Sequence, residues 1–224
     1  MDKLIFWETT DFIPVNSAAK LVSDILEAQL IHRKRNAEYA KKFFEEIAPI
    51  TFLANYLNCS SIRFTDDILE HNSFDAIIKH TDTKEQKVEC TCAIDGFEDA
   101  LIDEYLDKYH EVSLNQKIIY EGTKQNRTLH KQPVRVTFRP VGERFNKIIS
   151  LINDAVKKKI SKSKDDYVGA ILLIVVDTSG TSITRLNDFL SNYYSKNKIN
   201  KSPFDRIFLI PRNPPNYKDL FIEL

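Results

Sequence analysis

The chain has 224 residues, 42% of them hydrophobic and 29% charged, with only five glycines, which excludes collagen-like, low-complexity and wholly disordered chains. At this length a core can form without disulfides or a structural metal, and a single domain over residues 1–224 is expected. The 32 basic and 32 acidic residues cancel, so bulk charge does not point to nucleic acid, and such a partner would need a local patch.

The longest clean apolar run, Ala170 to Val176, is far short of the roughly 20 residues of a membrane span, and Asp2, Glu8 and Asp11 stand where a targeting segment carries basic residues. Cys59, Cys90 and Cys92 form neither an even set nor a Cys-x-x-Cys pair. The expectation is a protein of the reducing cytoplasm without a membrane partner.

In chain order, residues of about 17–58 read as a helical region. Asn16-Ser17 offer cap chemistry before a pattern from Ala18 to about Ile47, and Ala40, Phe43, Phe44 and Ile47 recur at helical spacing. Pro49 interrupts, and Ile50 to Leu57 continue as a short helix. Ser60–Thr65, Phe74–His80 and Gln86–Ala93 read as strands, the last two joined across the polar run 81–85 as a hairpin. An acidic helix from about Phe97 to Tyr109 follows, then a β-leaning insert over about 117–138, broken by Gly122 and Pro133. A helix from Glu143 to about Ser161 buries Phe145, Ile148, Ile149, Ile152 and Val156. Tyr167–Asp177 reads as a strand buried on both faces, with a helix near Ile183–Lys196 and a strand over Arg206–Ile210. This order predicts an α/β fold with a mixed central sheet flanked by helices, and an insert at the edge or protruding.

The chemistry concentrates in the hairpin. Side chains alternate along a strand, so Asp75, Ile77 and Lys79 share one face of the first strand, and Lys87, Glu89 and Thr91 one face of the second. If the two faces coincide, Asp75 and Glu89 can hold Mg²⁺ or Mn²⁺, hard cations that prefer oxygen ligands. Such a metal polarises a phosphodiester and lowers the pKa of its bound water. As ordinary surface residues the same carboxylates would only pair with Lys79 and Lys87 across the hairpin, worth less than about 1 kcal/mol.

Residues 38–93 resemble the core of the PD-(D/E)xK, or restriction-endonuclease-like, nuclease superfamily, in which an acidic helix precedes a hairpin bearing an Asp and then Glu-x-Lys. Phe74 stands where that motif has Pro, Asp75 matches its Asp, Glu89 matches the acid of the triplet, and Thr91 replaces its Lys. The resemblance implies a restriction-endonuclease-like core and a metal-dependent nuclease acting on nucleic acid, DNA in the first place. Asp75 and Glu89 are then the metal ligands, and Glu45 or Glu46 the helix carboxylate, with Glu46 nearer the apolar stripe. Lys87, two residues before Glu89, is the first choice for the charge-stabilising amine, Lys79 the second, while the Thr91 hydroxyl can hold a water. The alternative is a nuclease-like fold that has lost its chemistry and serves as a nucleic-acid or protein binding module, and divalent-metal binding separates the two.

Basic clusters at Arg33-Lys34-Arg35 and Lys157-Lys158-Lys159 offer phosphate-tracking surfaces. Residues 141–164 carry seven Lys or Arg against two acids, although a solvated helix end explains that run as well. The seven acids of 95–111 are expected to form a solvated face. Cys90 and Cys92, on the strand face opposite Glu89, belong in the core.

Overall fold

The computed structural model describes residues 7, 11–27, 37–65, 74–112, 118–132, 141–162, 166–177, 183–212 and 221–224. Arg33 and Arg35 lie outside this set. In chain order the elements are β1 (Ile13–Pro14), α1 (Val15–Glu27), α2 (Ala37–Lys42), a π-helical segment (Phe43–Ile47), α3 (Ala48–Tyr56), β2 (Ser61–Phe64), β3 (Ala76–Lys79), β4 (Glu85–Ala93) and α4 (Gly96–Tyr109). They continue with β5 (Tyr120–Gly122), β6 (Arg127–Leu129), α5 (Val141–Lys162), β7 (Ile171–Val176), α6 (Ile183–Lys196), β8 (Arg206–Pro211) and β9 (Ile222–Glu223).

Seven strands form one mixed sheet in the order β1-β2-β3-β4-β7-β8-β9. β1 to β4 pair antiparallel with one another, β4, β7 and β8 pair in parallel, as chain crossing through helices between strands requires, and β9 pairs antiparallel with β8. One face of the sheet packs on the N-terminal helices: Val88, Cys90, Ile171, Leu173, Val175 and Phe208 meet Val22, Phe43, Ile47, Ile50 and Leu53. The other packs on α5 and α6, where Leu172, Ile174, Ile207 and Leu209 meet Ile148, Ile152, Val156, Leu186 and Leu190. Strand β7, ILLIVV, is buried at every residue because both its faces are covered.

The β5–β6 ribbon stands apart from the central sheet and packs through Ile118 and Leu129 on Leu101 and Tyr105 of α4. Lys108 and the Tyr109 hydroxyl both donate to the Leu129 carbonyl at 2.7 Å, fixing the ribbon as a protrusion on that helix. Of the acids of 95–111, Asp103, Asp107 and Glu111 are exposed as the solvated-face expectation has it, and the other four correct it. Asp95 and Glu98 pair with Lys147, Asp99 with Arg212, and Glu104 with Arg127, so the acidic helix is anchored by charge to α5, the end of β8 and the ribbon.

Three local differences have identifiable causes. Helix α1 starts at Val15, directly after the β1 bridge, so Asn16 and Ser17 lie inside it. Pro49 does not end the helix: Lys42 and Ala48 remain right-handed helical, and the π segment lies just before the proline. Pro49 has no N–H to give the carbonyl of Glu45 and its ring crowds that group, a mismatch that one wider turn absorbs. The strand expected from Tyr167 begins at Ile171, because a turn over 166–169 places Gly169 at φ +75° and closes with Ala170 N–H donating to Tyr167 O at 3.0 Å.

Candidate active site

The antiparallel register sets Ala76 opposite Val88 and Lys79 opposite Glu85, so one step further Asp75 faces Glu89. The backbone of Asp75 is held on both sides: its N–H donates to Val88 O and its carbonyl accepts from Thr65 N, each at 3.0 Å. Beyond this point β3 leaves β4 and exposes the β4 edge, where the Asp75 carboxylate takes the next free donor, Cys90 N–H, at 2.6 Å. A charged acceptor on a backbone N–H makes a strong hydrogen bond and fixes the carboxylate where the sheet opens.

Glu89 sits at the centre of the sheet, opposite Leu172 of β7, and is only 3% exposed. Its Oε1 accepts from Lys159 Nζ of α5. Its Oε2 is buried without a formed hydrogen bond, although the Tyr167 phenol lies near enough to interact with the carboxylate. Burial first, and then the Asp75 charge, push the Glu89 carboxyl up to about 7 against the opposing pull of Lys159. Burial works against the Lys159 ammonium, but Glu89 outweighs it and holds the amine above its ordinary range. The Tyr167 phenol is likewise raised, by burial and then by Glu89 and Asp75.

The amine that reaches Glu89 therefore comes from α5, and the structure corrects the placement of Lys159 in an outward phosphate-tracking patch. Lys157 and Lys158 are exposed, whereas the Lys159 side chain is 14% exposed. The signal lay in the spacing: Lys159 is three residues beyond Val156 and seven beyond Ile152, a position on the buried stripe. Lys87, the first choice from sequence, is exposed, lies over the Phe74 ring at 4.8 Å and donates to Asp166 O at 3.4 Å. Lys79 pairs with Glu85 at 3.8 Å and lies 5.6 Å from the Phe12 ring, at the far end of the hairpin from Glu89. Thr91 is half-buried opposite Ile174, on the same face as Glu89.

Glu45 and Glu46 lie in the π segment, on the opposite side of β4. The Cys90 thiol donates to Glu45 O at 3.0 Å, taking up the carbonyl that Pro49 cannot bond. The Glu45 carboxylate lies beside Cys92, whose thiol burial and this charge push up, while Glu46 acts on Cys90 together with Asp75 and Glu89. Both thiols are raised by burial, as packing groups are.

Among the described residues no group of three or more His, Cys, Asp or Glu converges on one point, so a cage made wholly of protein ligands is not present there. Mg²⁺ usually keeps several waters and takes only one or two carboxylates. Asp75 and Glu89, with the orphaned Oε2 of Glu89, fit that donor requirement. Comparison with protein-family models, curated proteins and solved structures finds no match to this chain. Among the described residues no helix is long and apolar enough to cross a membrane.

Proposed function

We propose that the protein is a metal-dependent nuclease that hydrolyses phosphodiester bonds of nucleic acid, as the resemblance to the PD-(D/E)xK superfamily implies. The observation that carries this reading is the convergence of Asp75, Glu89 and the Lys159 amine where β3 leaves β4. A Mg²⁺ or Mn²⁺ ion bound there supplies a polarised phosphoryl oxygen and an acidified water. Asp75 and Glu89 are the residues that hold it. On this reading Lys159 takes the part that the resemblance gives to the lysine replaced here by Thr91, and its ammonium offsets negative charge as it develops, inside a site dry enough to make that interaction strong.

The order of elements supports the reading as well: helix, three-stranded meander, then a crossover to a parallel buried strand. The test is cleavage of single- and double-stranded DNA and RNA in Mg²⁺ or Mn²⁺. Wild type is expected to cleave, Glu89→Gln to lose cleavage while staying folded, and Lys159→Ala to lose turnover by about 10²-fold or more, the usual cost of removing a transition-state donor. Absence of cleavage and of metal binding in wild type would sink it and leave the binding module, in which Lys159 and Glu89 simply clamp α5 to the sheet.

A further inference from the structure

Among the described residues the large hydrophobic side chains standing out in solvent are Tyr56 at 45%, Ile119 at 65% and Val168 at 69% exposure. Val168 lies in the 166–169 turn, next to Tyr167, which interacts with Glu89, and two residues from Asp166, whose carbonyl accepts from Lys87. The turn that carries it is firmly held. Ala170 N–H donates to Tyr167 O, Gln86 Nε2 to Gly169 O at 3.0 Å, and Lys87 Nζ to Asp166 O at 3.4 Å. The Tyr167 ring, 3% exposed, stacks on Phe204 with centroids 5.0 Å apart. Gln86 in turn takes part in a chain through His80 Nε2 at 3.2 Å. Two β4 side chains thus fix a turn whose tip is apolar, and one of them, Lys87, is an exposed cation on the same strand face as Glu89.

Resting on the nucleic-acid reading above, we infer that Lys87 and Val168 form a substrate-holding lip for single-stranded nucleic acid, Lys87 binding a backbone phosphate and Val168 packing against a base. The chemistry distinguishes single from double strands. A fixed apolar tip beside a cation matches a base face next to its phosphate, and in a duplex that face is covered by stacking. Within this lip Lys87 acts in binding and Lys159 in turnover.

The experiment is binding of labelled single-stranded DNA and RNA oligonucleotides, and of the matching duplex, to the full chain in EDTA, where no cleavage occurs. Thermal melts of every variant check folding. Wild type is expected to prefer single strands. Val168→Asp should weaken binding roughly tenfold, the scale of losing one buried valine side chain, with the new carboxylate also repelling phosphate. Lys87→Ala should weaken it about threefold to tenfold and lower the salt slope by about 0.7, the effect of one phosphate contact on a single strand. Ile119→Asp, an equally exposed apolar residue on the ribbon, should leave binding unchanged. Tighter binding of duplex, no binding by wild type, or unchanged affinity in both Val168→Asp and Lys87→Ala would overturn the lip. Lip-dependent binding in a protein that never cleaves with metal would uphold it while refuting the nuclease reading.

Discussion

Strands β4 and β7 lie side by side in parallel, Val88 against Ile171 through Ala93 against Val176, and both are covered by helices on both faces. β7 answers with six apolar residues, all buried. β4 places Glu89 opposite Leu172 and Thr91 opposite Ile174. At the same depth, one strand is built to be excluded from water and its neighbour carries a charge into that layer. Stability alone does not call for this, because a buried ion pair is often matched or bettered by hydrophobic residues of similar volume. The contrast separates what holds the sheet from what the sheet holds.

The largest expected effect removes the difference between the strands. Glu89→Leu with Lys159→Met should fold with unchanged or greater stability in urea unfolding, because the desolvation cost of two charges disappears. Cleavage should fall by about 10³-fold or more, since ligand and amine are both gone. A double variant that is badly destabilised would show that the pair is chiefly structural. On the β7 side, Leu172→Ala should cost about 2–5 kcal/mol in the same unfolding experiment, the range for an emptied core site. A loss within about 0.5 kcal/mol, the range of an ordinary surface change, would mean that β7 is not the packed member of the pair.

The pH dependence sharpens the comparison further. Glu89 titrates near 7 in the folded protein, above its ordinary 4.5, so the folded state holds its proton more tightly than the unfolded chain. Its contribution to stability is fully present below about pH 4.5 and is lost as pH rises through 7. Unfolding of wild type and Glu89→Gln, followed from pH 4.5 to 8, should therefore show wild type losing stability relative to the variant as pH rises. Parallel curves would remove the buried carboxylate from the explanation. The smallest expected effect is a partial rescue. Thr91→Lys in a Lys159→Ala background should restore turnover several-fold, because residue 91 shares the face of Glu89 and can present an amine from the neighbouring turn of the pleat. No gain in kcat would mean that the amine must approach from α5.

Much of the fold was written in local pattern. The stripe from Phe145 to Val156, the unbroken apolar run of β7 and the alternation around Asp75 and Glu89 each identify an element, because periodicity reports directly which face meets the core. The same alternation placed Cys90 and Cys92 in packing and paired the two carboxylates across the hairpin. The strand start at Ile171 was not legible, since the Gly169 turn within an apolar stretch looks like more strand. Nor was the π segment, which answers a clash between Pro49 and the turn before it.

The amine was decided only by tertiary structure. Lys87, Lys79 and Lys159 are equal as residue types, and distance along the chain favours the first two. Which one meets Glu89 depends on how α5 crosses the sheet, a rigid-body placement set by Ile148, Ile152 and Val156 packing on Leu172 and Ile174. That packing carries Lys159 across 70 residues of sequence to the carboxylate, whereas Lys87, two residues away, is turned to the surface and the 166–169 turn. Sequence determines which side chains an element can offer to a face. Only the docking of one element on another determines which of them arrive together.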